Sequence, residues 1–275
     1  MNIASLLDNF PLARTASCDE VREAIARVYT EPTLRLGRRS KTLNARLNNC
    51  RLETIQLAYG AFGGVVHFDF PAADCFVTLL PLRGGGEVFS RRQSAVLLGA
   101  QTCATISPDA GFQASYSEDY AALVMRINAQ ALTKKLAVMT GTSITAPLQM
   151  KLQPNASQRM LTLCRYLPVL AAMLSEAVFP LPTWWISQTE QLLMVMFLCG
   201  SQHNYSHLLE QEAPDCAPWQ VRRAEDYIEA NWQEAITLED LAEVTGVSGF
   251  SLFRSFRKAR GYSPFDYASE VRRKT

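Results

Sequence analysis

The stretch from Thr237 to Gly261, TLEDLAEVTGVSGFSLFRSFRKARG, constrains the fold of this chain more than any other. It reads as two short helices joined by a tight turn. Thr237 and Asp240 form a capping pattern, a hydroxyl able to accept a backbone N–H and a carboxylate set near the positive helix end. Leu238, Leu241, Ala242 and Val244 supply an apolar face, and Gly246 permits the left-handed backbone that a short turn needs. Ser248 is a fresh N-cap. Behind it, Leu252 and Phe256 stand four apart on a stripe that should pack on Leu241 and Ile228. Arg254, Arg257, Lys258 and Arg260 fall mostly off that stripe. This is the layout of a helix–turn–helix whose second helix enters the major groove.

The charges are divided in the same way. Trp219–Thr245 carries two basic and seven acidic residues, whereas Gly246–Thr275 carries seven basic and two acidic, although the whole chain is only +1. A basic helix beside an acidic support suits an element that meets phosphate. A surface helical hairpin with scattered arginines is the plainer alternative. If the motif reads DNA, Arg254 is the residue for a base edge, because a guanidinium can bond guanine O6 and N7 together. Arg257 and Lys258 are phosphate contacts.

Residues 219–275 closely resemble the DNA-binding domain of the AraC/XylS family of bacterial transcription regulators. The resemblance rests on ITLEDLA at Ile236–Ala242, GVS at Gly246–Ser248, LFRSF at Leu252–Phe256 and GYSP at Gly261–Pro264. It implies that Phe250, Ser251, Phe253 and Arg254 occupy the base-reading positions. Phe250 stands where relatives are often polar, suited to a thymine methyl or to weaker binding. The family normally carries a second helix–turn–helix after a linking helix, and this sequence stops at Thr275 within that helix. A C-terminally shortened relative is therefore expected, with one complete motif.

Upstream, about Leu52 to Ile127, short apolar runs alternate with glycine punctuation, with turn signals about every 8–12 residues, the pattern of a small barrel or sandwich. Helical periodicity follows over Ala131–Thr140, Ser157–Val178 and Trp184–Leu209. Polar, proline-bearing residues 211–218 read as a linker. The expected class is α+β: a sensing and dimerisation domain over 1–210, with its barrel at about 52–127 and helices at about 129–209, then a DNA-binding domain over 219–275. LAYG at Leu57, LPLRG at Leu80, ISPD at Ile106 and SYSED at Ser115 resemble the cupin-like effector domain of the same family, with the XylS-type regulators of aromatic-acid breakdown as the nearest branch. That implies a small-molecule sensor in the barrel and a dimer interface on the helices.

Between Glu31 and Glu53 the chain has six basic residues and no acid. Arg38, Arg39, Lys41 and Arg46 could hold an anionic effector, since a guanidinium fork matches a carboxylate. A solvated arm, or one touching DNA non-specifically, explains the same run. The branch resemblance favours an aromatic carboxylate.

Enzyme readings find little support. His67 is the only histidine before the helical region, too few for a cupin metal centre. His203 and His207 lack an evident third ligand. Gly84-Gly85-Gly86 lacks the P-loop surroundings and reads as a hairpin turn. No G-x-S-x-G elbow is present. Neither a metal nor an organic cofactor is expected. Seven cysteines without a C-x-x-C pair suit a reducing cytoplasm. No signal peptide is visible at the N-terminus. The densest apolar run, Leu192–Cys199, is too short to span a bilayer, and Pro168, Glu176, Pro180 and Pro182 spoil the next candidate.

The expected protein is a nucleoid-associated regulator in the bacterial cytoplasm, activating a catabolic operon. Its partners are double-stranded DNA, a small effector, a second copy of itself and RNA polymerase. The alternative is a shortened relative that binds ligand, or dimerises with a full-length regulator, without binding DNA specifically.

Overall fold

The computed structural model describes residues 6–38, 40, 42–90, 93–99, 102–108, 110–151, 157–177, 180–210 and 218–274. The chain forms two compact units. The first comprises the residues up to Ala131 together with Gln149–Asn204; the second comprises Leu132–Leu148 and Tyr205–Thr275. This grouping differs from the expected division at the linker, because residues 132–148 join the C-terminal helices. Of the expected linker, 211–218, residues 211–217 lie outside the described residues and Pro218 opens a helix.

The first unit is a two-sheet antiparallel sandwich. Strands β1 (Pro11–Thr15), β3 (Ala45–Arg51), β4 (Ile55–Ala61), β11 (Ala121–Asn128), β6 (Cys75–Arg83) and β9 (Ala104–Ile106) form one sheet in that order. Strands β2 (Thr33–Leu36), β5 (Val66–Phe70), β10 (Phe112–Tyr116), β7 (Gly86–Ser90) and β8 (Gln93–Leu98) form the other. Helix α1 (Cys18–Ala26) lies between β1 and β2 in the chain, capped by Ser17, whose hydroxyl accepts the Glu20 N–H. The expected α+β class with a cupin-like sandwich is correct.

The sheet begins much earlier than Leu52, however. Of the basic residues between Glu31 and Glu53, Arg35 lies on β2 and Arg46 and Arg51 lie on β3, so these three are not on a free arm. Its strands were hidden because ARLNNCR has few apolar residues, and the buried Asn48 takes its place through side-chain bonds to the Leu6 carbonyl at 2.6 Å and Asp8 at 3.3 Å. The triple glycine also differs from expectation. It joins β6 to β7, which belong to different sheets, so it is a corner between layers and not a hairpin.

Strand periodicity sorts the six-stranded sheet into two faces. Leu123, Met125 and Ile127 of β11 are buried on the face where Phe76 meets Phe197 of α4 (Thr183–Gly200), ring centroids 6.1 Å apart. The residues between them, Ala122, Val124 and Arg126, face the sandwich interior with the aromatic side chains of β5 and β10. Helix α3 (Gln158–Glu176) packs beside α4 and buries Leu163, Leu167, Leu170 and Leu174.

The second unit contains most of α2 (Ala129–Thr140), α5 (Ser206–Glu210), α6 (Pro218–Ala230), α7 (Leu238–Thr245), α8 (Gly249–Arg260) and α9 (Pro264–Lys274). Its core is Val221, Ala224, Ile228, Ile236, Leu241, Leu252, Phe256 and Ala268. Among the described residues, no helix is long and apolar enough to cross a membrane.

Candidate nucleic-acid interface and effector cavity

Helices α7 and α8 form the helix–turn–helix, and each end is fixed by a local bond. The Thr237 hydroxyl accepts the Asp240 N–H at 3.2 Å, and the Asp240 carboxylate accepts the Thr237 N–H at 2.8 Å, completing a capping box. Gly246 ends α7 at φ 70°, the left-handed conformation in which a side chain would be strained. Ser248 then caps α8 by accepting the Ser251 N–H at 3.1 Å. Leu252 and Phe256 are fully buried against Leu241 and Ile228, the packing expected from their spacing. A second capping box follows, Ser263 with Asp266, which opens α9. The Ser263 hydroxyl and amide hold the Asp266 carboxyl below the usual carboxylate range.

The outer side of α8 carries Phe250, Arg254, Arg257 and Lys258, all exposed. Their spacing of four, three and one places them on a single helix face. Two candidate base-reading residues sit elsewhere. Ser251 is buried, its hydroxyl bonded to that of Ser248 at 2.9 Å, so it supports the cap. Phe253 is half-buried. Arg260 is turned back to Glu225 of α6 in a paired bond at 2.6 and 2.8 Å, leaving the outer face to the other three cations.

The same unit holds a contact that sequence reading missed. Lys135 of α2, only 7% exposed, reaches Glu239 in the first turn of α7 at 2.6 Å. Gly141 ends α2 at φ 67° directly against Ser248; a Cβ there would stand 2.8 Å from the serine Cβ. Residues remote in sequence thus brace the start of both motif helices.

In the first unit the sandwich interior holds a partly open apolar cavity of about 100 Å³. Phe62, Phe68, Phe70, Phe112 and Tyr116 line its aromatic side, and Ala58, Val77, Leu79 and Val124 the other. A more polar cleft of about 260 Å³ adjoins it, lined by Arg51, Thr54, Gln56, Asp74 and Asn128 among others. Val28, Tyr29 and Arg126 border both spaces.

Arg126 is 7% exposed and donates to the Val28 carbonyl at 3.0 Å and to Asn49 Oδ1 at 2.7 Å. Its guanidinium carbon lies 5.2 Å from the Tyr29 ring centre, while its Nε has no partner. Burial lowers the guanidinium pKa. Burial also raises the Cys75 thiol at the cleft to about 11, so it stays protonated at neutral pH.

Among the described residues, neither Arg38 nor Arg46 of the effector set chosen from sequence lines this cavity. Arg38 and Arg46 are exposed, and Arg39 and Lys41 lie outside the described residues. Arg126, which sequence reading passed over, is the one charged residue of the strand AALVMRIN. Of the histidines, His67 is exposed and bonds Ser115, whereas His203 is buried against the Leu198 carbonyl at 3.2 Å. No group of three or more His, Cys, Asp or Glu side chains is placed to hold a metal ion among the described residues.

A cupin-like sandwich with an aromatic interior, followed in the chain by a capped helix–turn–helix, defines the class of this α+β protein. The sequence model of the AraC-binding-like domain matches residues 21–199, and the chain belongs to that family. Two curated proteins are similar over parts of their length. The HTH-type transcriptional regulator YbfI of Bacillus subtilis is 38% identical over 53 residues, 19% of each chain. The probable thc operon regulatory protein of Rhodococcus erythropolis is 28% identical over 155 residues, 54% of this chain and 46% of that one. The chain therefore matches less than half the length of either. The crystal structure of the AraC-like transcriptional activator CuxR shares the fold, with a TM-score of 0.50 and 13% identity over 95% of this chain and 94% of that one.

Proposed function

We propose that this chain is a sequence-specific DNA-binding transcription regulator whose sandwich domain senses a small molecule. The observation that carries the reading is the exposed face of α8, where Phe250, Arg254, Arg257 and Lys258 stand together on a helix capped and packed from behind. Arg254 reads a base edge, and Arg257 and Lys258 hold phosphates. The effector is an aromatic carboxylate, as in the XylS-like branch, and the output is activation of a catabolic operon. The Rhodococcus relative, a probable operon regulatory protein, supports this. RNA polymerase is the downstream partner, and the protein works on the nucleoid in the cytoplasm.

Selection of random duplex DNA by the purified protein tests the reading. An enriched motif is expected, and Arg254→Ala should flatten its preference at one position by about 1–3 kcal/mol, roughly 5- to 150-fold. Arg257→Ala or Lys258→Ala should instead weaken all sequences alike and reduce the salt slope by about one unit. Unchanged selectivity in Arg254→Ala would sink the assignment.

The regulator acts as a homodimer through α3 and α4. Val169 and Met173 on α3 and Trp184 and Leu192 on α4 are exposed, although apolar. Twofold symmetry also suits paired DNA half-sites. Sedimentation should show a dimer for the native chain and a monomer for Met173→Glu/Leu192→Glu; a dimer in that variant places the interface elsewhere.

A further inference from the structure

We infer that Arg126 anchors the carboxylate of a ligand whose apolar body, about one aromatic ring in size, fills the sandwich cavity. The inference deepens the sensing role proposed above and rests on it for its biological purpose. Its first support is electrostatic. A guanidinium only 7% exposed has lost most of its hydration, a loss normally offset by a paired carboxylate. Arg126 has a carbonyl, an amide oxygen and an aromatic ring, and no carboxylate pairs with it among the described residues. Its Nε–H is buried and unused.

The second support is the register of the sheet. Paired residues on neighbouring strands point to the same face. Leu47, Gly60 and Ala122 form one inward row, and Asn49, Ala58, Val124 and Leu79 the next. Arg51, Gln56, Arg126 and Val77 form the third. Polarity therefore rises along one direction of the interior, and Arg126 stands at the boundary between apolar cavity and polar cleft. A ligand matching this gradient is amphipathic: an apolar body within and an anion at Arg126. Size limits the body, since a cavity of about 100 Å³ approaches the ~150 Å³ that admits a benzene molecule. A planar carboxylate matches the guanidinium fork in two parallel bonds.

Calorimetric titration of the full chain tests this, with benzoate, cyclohexanecarboxylate and hexanoate as anionic probes and benzamide as the neutral counterpart of benzoate. At least one anion should bind, and benzamide at least 30-fold more weakly than benzoate. Arg126→Gln should lose binding of that anion by a similar factor, with Arg38→Gln and Arg46→Gln unchanged. Should Arg126→Gln fail to fold, Val124→Phe, which fills the cavity and keeps the charge, is expected to fold and to exclude the probes. Benzamide binding as well as benzoate, full affinity in Arg126→Gln or in Val124→Phe, or no binding of any anion by the folded native chain overturns the inference. The DNA selection is scored separately. A selected DNA motif without anion binding removes only this ligand assignment, whereas anion binding without any DNA motif removes the regulator and leaves the site.

Discussion

Phe256→Ala is expected to unfold the C-terminal helices while the sandwich stays intact. The ring is fully buried in the small core of α6 to α9, within 6.1 Å of the Tyr262 ring and 6.0 Å of the Tyr267 ring between centroids. Emptying such a site costs about 3–5 kcal/mol, a large part of what a small helical unit possesses. Hydrogen exchange should show α7 and α8 losing protection with β4 and β11 unaffected, and DNA selection should fail. Phe250→Ala is the matched control. That ring is 46% exposed on the same helix, so stability should change by no more than about 0.5 kcal/mol. Equal losses from the two substitutions would show that the core is not organised around Phe256.

The second large effect is expected at Glu190. This carboxylate, 3% exposed on α4, accepts the backbone N–H of Glu53 at 3.0 Å and those of Thr54 and Ile55 at 2.7 Å each. Its other oxygen takes the Thr54 hydroxyl at 2.9 Å. One side chain thus satisfies three successive amides where β3 turns into β4. Glu190→Ala removes all four bonds and should cost about 3 kcal/mol or more, because buried donors are left unmet. Glu190→Gln keeps an acceptor oxygen for the amides and should lose roughly half as much. Urea denaturation of the full chain measures both; equal stability in the alanine variant would show that water replaces the carboxylate without loss.

The helix–turn–helix was legible because its information is local. Caps, a turn glycine and a four-residue apolar spacing all act within one or two helical turns, and Thr237, Gly246, Ser248, Leu252 and Phe256 each occupy the expected place. The sandwich was legible in kind and less so in extent. Strands such as ARLNNCR bury polar side chains through bonds to residues distant in sequence, which leaves no alternation to read. The candidate effector site was the least legible. A run of arginines draws notice through composition, yet Arg38 and Arg46 are exposed, and it is Arg126, a solitary charge in its strand, that borders the apolar cavity. Its placement depends on the register of three strands, which a linear pattern does not carry. Ser251 shows the same limit at the motif, since resemblance gave its position and the cap bond to Ser248 turned its hydroxyl inward.

The salt bridge from Lys135 to Glu239 bears on how such regulators can be recombined in evolution or in the laboratory. A boundary drawn at the linker would treat everything after residue 218 as a transferable cassette. Glu239 would then travel without its cation, and Lys135 would stay behind as a buried charge facing whatever side chain the incoming cassette placed opposite. Breaking such a pair on one side costs several kcal/mol more than exchanging both members together. Compatible cassettes are therefore those with an acid in the first turn of the leading motif helix and a small residue facing Gly141. The inheritable piece is a pair of segments, and its ancestry should be traced through both.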